Sequence, residues 1–227
     1  IGPVKANDLV KNHKIRTIED LRSEVQKNPK LLNDKQMIGL KYFEDIQERI
    51  PRNEMLLHDK TIINIVKEIT ENTFNAELVG SFRREAATSG DIDVLIGYPK
   101  NITEKQAEQK FKEIVEAFEE QEYITDILAK GPKKCMAVVK LSGDKSKARR
   151  LDLLLTPPEE FPYALLYFTG SDKFNIQVRK KAIELGYSLS EHGLKITKKD
   201  APKPPEMNNE KDILDFLGIS FLEPKNR

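Results

Sequence analysis

The stretch ELVGSFRREAATSGDIDVLIG, Glu77 to Gly97, sets the tightest limit on what this chain can fold into. Its last part, Asp91-Ile92-Asp93-Val94-Leu95-Ile96-Gly97, reads as a buried strand that begins with two carboxylates. Side chains alternate along a strand, so Asp91 and Asp93 share one face while Ile92, Val94 and Ile96 take the other. Two carboxylates held that close repel unless a cation lies between them. Asp152 in RRLDLLLT has a similar setting, between Leu151 and Leu153 on another predicted strand. Three oxygen donors on neighbouring strands suit a hard divalent cation, Mg²⁺, with phosphate oxygens and water completing the coordination. Upstream, Gly80 permits close backbone approach and Ser81 offers a hydroxyl, so this turn can hold phosphate oxygens against Arg84. The combination points to two-metal phosphoryl transfer.

The rest of the chain divides in three. Residues 1–70 read as helical, with a capped start at Thr17-Ile18-Glu19-Asp20-Leu21 and an apolar helical spacing through Ile62, Ile65, Val66 and Ile69. Residues 71–160 alternate predicted strands (Glu77–Phe82, Asp91–Gly97, Cys135–Leu141, Arg150–Thr156) with one helix burying Phe111, Ile114, Val115 and Phe118. Residues 161–227 are mixed, with helices near Asn175–Leu185 and Lys211–Leu217 and a Pro-rich loop APKPPE at 201–206. The formal charge of +1 hides a basic run from Lys130 to Leu151, eight Lys or Arg against Asp144, opposed by eight acids against three lysines from Glu104 to Asp126. That asymmetry suits a grip on a polyanion from one side. No run reaches the roughly 18 apolar residues of a membrane span, so no membrane partner is expected. The single cysteine, Cys135, among Met136, Ala137 and Val138, reads as a buried structural thiol. His13, His58 and His192 are scattered, and no zinc spacing is present.

The order Gly80-Ser81, nine residues, Asp91-x-Asp93, then an apolar-flanked Asp152, resembles the nucleotidyltransferase superfamily, and Tyr167-Phe168-Thr169-Gly170-Ser171 narrows the resemblance to DNA polymerase family X. GLKYFEDIQERIPRNEM, GSFRR, SGDIDVLI, RRLDLLL, LLYFTGSDKFN and SLSEH carry that likeness, to the beta- and lambda-like members, along essentially the whole chain. The resemblance implies an α+β fold: a mixed-sheet palm at 71–160, a helical DNA-binding subdomain at 1–70 and an α/β nucleotide-binding, closing subdomain at 161–227. It implies template-directed addition of deoxynucleotides to a primer 3′-hydroxyl, filling short gaps in DNA repair, base excision repair included. The alternatives are a template-independent or other nucleotidyltransferase and a catalytically silent DNA-binding module.

By the same resemblance Asp91, Asp93 and Asp152 hold the catalytic metal, and Asp91 and Asp93 also hold the nucleotide metal, two Mg²⁺ in all with Mn²⁺ able to substitute. Gly80, Ser81, Arg84, Ser89 and Gly90 match the triphosphate contacts, Tyr167 and Phe168 the gate beside the sugar, Asp172 and Asn175 the contacts around the incoming base, and Thr169 and Gly170 are further nucleotide-binding residues. Lys134, Arg150 and Arg179 match contacts to template backbone, primer terminus and minor groove, and Glu191 a supporting network in the closed state. Ile1-Gly2-Pro3 looks like the end of a helix-hairpin-helix turn, with Gly2 facing a DNA phosphate through a monovalent cation. The expected partners are primer-template or gapped DNA and a dNTP, with the chain acting as a monomer, in the nucleus of a eukaryotic host or otherwise intracellular or viral. The lyase lysine of related enzymes has no counterpart here, so no lyase activity is expected. Leu154 stands where beta-like members carry an arginine that competes for the third aspartate, which predicts that Asp152 is ready for metal before the closing subdomain moves.

Overall fold

The computed structural model describes residues 1–143 and 146–227; Asp144 and Lys145 of the basic run lie outside the described residues. Two compact units divide at Glu48 and Arg49. The first carries α1 (Pro3–His13), α2 (Ile18–Lys27), α3 (Asp34–Lys41) and α4 (Phe43–Gln47). The expected cap is present: Thr17 Oγ1 accepts from the Asp20 amide and the Asp20 carboxylate accepts from the Thr17 amide, a reciprocal capping box. Its core is a small apolar cluster of Leu9, Ile15, Leu21, Val25, Leu31, Leu32 and Leu40.

The second unit opens with β1 (Ile50–Pro51) and α5 (Arg52–Ile69), then β2 (Asn75–Leu78), α6 (Gly80–Arg83), β3 (Thr88–Ser89) and β4 (Ile92–Gly97). It continues through α7 (Glu104–Glu120), β5 (Ile124–Lys130), β6 (Lys134–Val139) and β7 (Arg149–Thr156). The strands form a five-stranded sheet in the order β2-β4-β7-β6-β5, in which only β4 and β7 run parallel. Ile92, Val94 and Ile96 of β4 and Leu151, Leu153 and Leu155 of β7 face the core shared with Ile62 and Val66 of α5 and Phe111 and Phe118 of α7. The alternate residue Leu95 packs on the other face with Val79 and Ala164. The last part of this unit holds α8 (Phe161–Thr169), α9 (Asp172–Glu184), a hairpin of β8 (Tyr187–Ser190) and β9 (Gly193–Ile196), and α10 (Glu210–Phe216). These elements share a second core around Phe174, Val178, Tyr187, Ile213 and Leu214.

Several sequence-based boundaries move. α5 carries Met55, Ile62, Ile65 and Val66 into the core of the sheet, so residues 49–70 belong with the sheet and not with the N-terminal helices. The strand expected over Glu77–Phe82 stops at Leu78 because Gly80 takes a left-handed φ of +61° and starts the one-turn α6. Asp91 precedes β4, which begins at Ile92. β5 and the β8–β9 hairpin are additions to the expected strands.

Candidate active site

The parallel register pairs Asp93 of β4 with Asp152 of β7, so both carboxylates rise from the face away from α5 and α7. Asp91 stands two residues before Asp93, at the mouth of β4. The three acids feel one another. Burial, then Asp91, then Asp152 push Asp93 up to about 6, against the pull of Arg150 and Lys134. Asp152 is raised as well, first by burial and also by Asp91, with Arg150 and Lys134 opposing. The electrostatics are those of a site with more negative charge than its protein neighbours neutralise.

Arg150 supplies the nearest cation. Its Nη2 donates to Asp91 Oδ2 at 3.1 Å and lies 3.9 Å from Asp152 Oδ2. The expectation that Asp152 stands free of a competing arginine is therefore corrected: Leu154 provides none, but Arg150, two residues before Asp152 and on the same face of β7, reaches the acids. Arg150, expected at a primer terminus, is here a partner of the carboxylates. Among the described residues no three His, Cys, Asp or Glu side chains converge as a finished coordination shell. The donor set nevertheless fits magnesium in kind, three carboxylates that repel one another with a guanidinium in partial compensation.

Beside the acids lies a turn suited to phosphate. A Cβ on Gly80 would meet Asp93 Oδ2 at 2.9 Å, so only glycine lets this backbone pass the carboxylate. Ser81 Oγ donates to Ser89 Oγ at 3.0 Å, which joins the Gly80-Ser81 and Ser89-Gly90 halves of the expected cradle. Arg84 reaches across to α8, its Nη1 donating to the Thr169 carbonyl at 2.6 Å and lying 3.3 Å from a Cβ built on Gly170. Arg49 is a residue the sequence reading missed. Its Nε donates to Thr88 Oγ1 at 3.0 Å and its Nη2 to the Thr88 carbonyl at 2.8 Å, with Nη1 against Gly90. The two-residue pairing of β1 with β3 brings it to Thr88 from 39 positions away, so no local pattern announces it.

Arg83, next to Arg84, is the centre of a separate ionic cluster. It donates to Glu77 Oε1 (2.8 Å), to Thr169 Oγ1 (2.7 Å) and to both oxygens of Glu210 (3.0 and 2.8 Å), and Glu210 also pairs with Arg227. These bonds tie the turn to the end of α8 and the start of α10. Tyr167 and Phe168 stack edge to face at the end of α8, ring centroids 5.1 Å apart. Asn175 Nδ2 donates to the Tyr167 carbonyl at 2.7 Å, and Asp172 and Ser171 open α9, which carries Arg179 on its exposed side. Lys134 begins β6 across from Leu154, on the acids' side of the sheet. Glu191 lies 3.8 Å from His192 Nε2, while His192 Nδ1 bonds Glu160 at 2.8 Å. Gly2 is the residue before α1, in the N-terminal unit, and its carbonyl accepts from the Ala6 amide.

Comparison with known proteins matches residues 49–158 to the DNA polymerase beta palm, 164–227 to the DNA polymerase beta thumb and 1–47 to the fingers domain of DNA polymerase lambda. DNA polymerase lambda of Rattus norvegicus is 33% identical over 229 residues, a match covering 93% of this chain and 38% of the rat protein. Two crystal structures of Leishmania infantum polymerase beta, ternary primer-template and gap complexes by their descriptions, are each 32% identical and cover the whole chain. Their TM-scores are 0.91 and 0.89, and the chain covers 94% and 86% of them.

Proposed function

The chain belongs to DNA polymerase family X, and on that premise we propose that it is a template-directed DNA polymerase that extends a primer 3′-hydroxyl by one deoxynucleotide at a time, acting as a monomer on primer-template or short-gap DNA. The observation that carries this reading is the meeting of Asp91, Asp93 and Asp152 beside the Gly80-Ser81 turn, with Asp93 raised to about 6 by burial first and by Asp91 and Asp152 beside it. Two Mg²⁺ ions, replaceable by Mn²⁺, would supply activation of the primer hydroxyl and neutralisation of the triphosphate. Asp91 and Asp93 would hold both ions and Asp152 the one nearest the primer.

The chain's own groups then divide the work. Ser81, Ser89, Arg84, Arg49 and the backbone at Gly80 and Gly90 hold the β and γ phosphates, since hydroxyls, guanidinium groups and close-approaching amides all donate to phosphate oxygen. Tyr167 and Phe168 line the sugar, where a 2′-hydroxyl would clash, Thr169 and Gly170 carry the chain on to the nucleotide, and Asp172 and Asn175 at the start of α9 stand at the base. Lys134, Arg150 and Arg179 hold DNA, so Arg150 exchanges its carboxylate partners for the primer end when DNA arrives. Gly2, with a monovalent cation, holds a DNA phosphate at the N-terminal unit, and Glu191 supports the closed state.

A specific observation disfavours template-independent synthesis. β5 and β6 are joined by a tight turn, Gly131-Pro132-Lys133, closed by a bond from the Gly131 amide to the Lys134 carbonyl at 2.8 Å. Such a turn has no length with which to stand in for a template strand. Extension of a gapped primer with each dNTP and rNTP, with and without template, tests the reading. Template-coded dNTP addition that requires Mg²⁺ or Mn²⁺ is expected; efficient extension of a lone single strand, or equal use of rNTPs, would overturn it.

A further inference from the structure

The turn between Gly80 and Gly90 has few bonds of its own, chiefly the Ala86 amide to the Ser81 carbonyl at 3.1 Å and Ser81 Oγ to Ser89 Oγ at 3.0 Å. α6 is a single turn of helix, too short to persist by its own hydrogen bonds. Left-handed residues bracket it, Gly80 at φ +61° and the non-glycine Glu85 at φ +60°. Yet its two halves must stay in register for Ser81 to meet Ser89. Arg83 and Arg84 anchor the turn toward α8 and α10, and the backbone of the linking segment 82–87 needs an anchor on its other side.

We propose that Arg52 is the positioning residue of the phosphate cradle: it clamps the turn from outside and touches no substrate atom itself. Arg52 is the first residue of α5. Its backbone amide donates to the Ala87 carbonyl at 3.0 Å, and its side-chain Nη1 donates to the Phe82 carbonyl at 2.9 Å and approaches that of Ala86 at 3.5 Å. Its guanidinium lies over the Phe82 ring, 4.7 Å from the centroid. One residue thus engages three carbonyls and the aromatic ring of the segment 82–87, which links the two halves of the cradle. The Phe82 carbonyl already accepts from the Glu85 amide at 3.0 Å, and the guanidinium adds a charged donor to the same oxygen. Lysine cannot reproduce the arrangement, because an ammonium has no planar face to lay over the Phe82 ring while its nitrogen bonds the carbonyls. The bonds made by Arg52 point into the turn's backbone, whereas Arg49 bonds Thr88 beside Ser89 and Arg84 reaches the Thr169 carbonyl of α8.

The proposal rests on reading this turn as the triphosphate site, and the test separates the two. Arg52→Ala and Arg52→Lys are compared with the unaltered chain in dNTP titrations on gapped DNA, alongside DNA affinity and thermal melting. Both variants are expected to raise KM for dNTP about tenfold or more, with kcat changed less than about threefold and DNA affinity unchanged. Recovery of the unaltered KM in Arg52→Lys would reduce the effect to charge and overturn the clamp, as would an unchanged KM in both. A purely structural role would lower melting temperature and active fraction without splitting KM from kcat, and overturns it too. Should Arg52→Ala not fold, Arg52→Lys decides alone. If the unaltered chain extends no primer, the polymerase reading fails. Inorganic tripolyphosphate binding, followed by calorimetry with Mg²⁺, then tests the clamp by itself: both variants should bind about tenfold more weakly, and equal binding sinks it.

Discussion

Arg149 and Arg150 are neighbours on β7, and they face opposite electrostatic worlds. Arg149 points toward α5, is 3% exposed, and pairs with Glu54 through Nε at 2.6 Å and Nη2 at 2.8 Å. Behind Glu54, His58 Nδ1 bonds the Tyr123 hydroxyl at 2.7 Å with no exposure of the imidazole. Arg150 points to the open face, is 38% exposed, and shares itself between Asp91 and Asp152. One face matches buried charge and gains a fixed strand. The other leaves a surplus of carboxylate, and that surplus is a capacity to bind cations.

The largest expected effect breaks the open face. Asp152→Ala should slow single-turnover extension by about three or more powers of ten, at least ~4 kcal/mol of barrier, with dNTP affinity nearly kept, while Asp93→Ala loses both. Neither should lower the melting temperature of the metal-free chain, because each removes a repelling charge. A destabilised but active Asp152→Ala would erase the contrast between the faces. On the closed face the order reverses. Glu54→Ala leaves Arg149 buried without its carboxylate, and should cost about 3 to 4 kcal/mol in denaturant unfolding.

The closed face also predicts a pH dependence. Burial lowers His58 to about 4 from its ordinary 6.5, so the folded state refuses a proton that the unfolded chain accepts. Stability is full above about pH 6.5 and falls as pH drops toward 4, by a loss approaching about 3 kcal/mol. Unfolding curves at pH 7.5 and 4.5 should show that loss in the unaltered chain and a smaller one in His58→Gln; equal losses would show that His58 is not the group. The smallest effect belongs to Arg150→Ala, whose half-exposed pairing should contribute less than about 1 kcal/mol to unfolding.

Legibility followed the same division. The acids could be read because strand alternation makes two carboxylates at the head of an apolar run conspicuous, and Asp152 repeats the pattern between two leucines. The helices α5 and α7 were equally plain from their spacing. β5 was not, since it is an edge strand only partly buried, and register shifts after Ile124 and Ile127 break its alternation. Arg49, Arg52 and the Arg83–Glu210 pair were invisible for a different reason: their partners lie 39, 30 and 127 positions away, and nothing local marks an arginine that bonds a distant carbonyl or carboxylate. The placement of α5 was misjudged because its apolar stripe shows that it packs, but not against what.

The pairing of Asp93 with Asp152 has a consequence for how such proteins diverge and are found. The two acids are brought together by a ladder of parallel strands, Ile92 opposite Leu151 through Gly97 opposite Thr156, and not by the chain that runs between them. Insertions or deletions in the intervening loops leave the alignment untouched, whereas a slip of one position on β7 would set a leucine opposite Asp93 and turn Asp152 into the core. The number of residues separating the acids is therefore free to drift across lineages. A search for remote relatives gains more from an aspartate enclosed by leucines on a strand than from any fixed interval after the first pair.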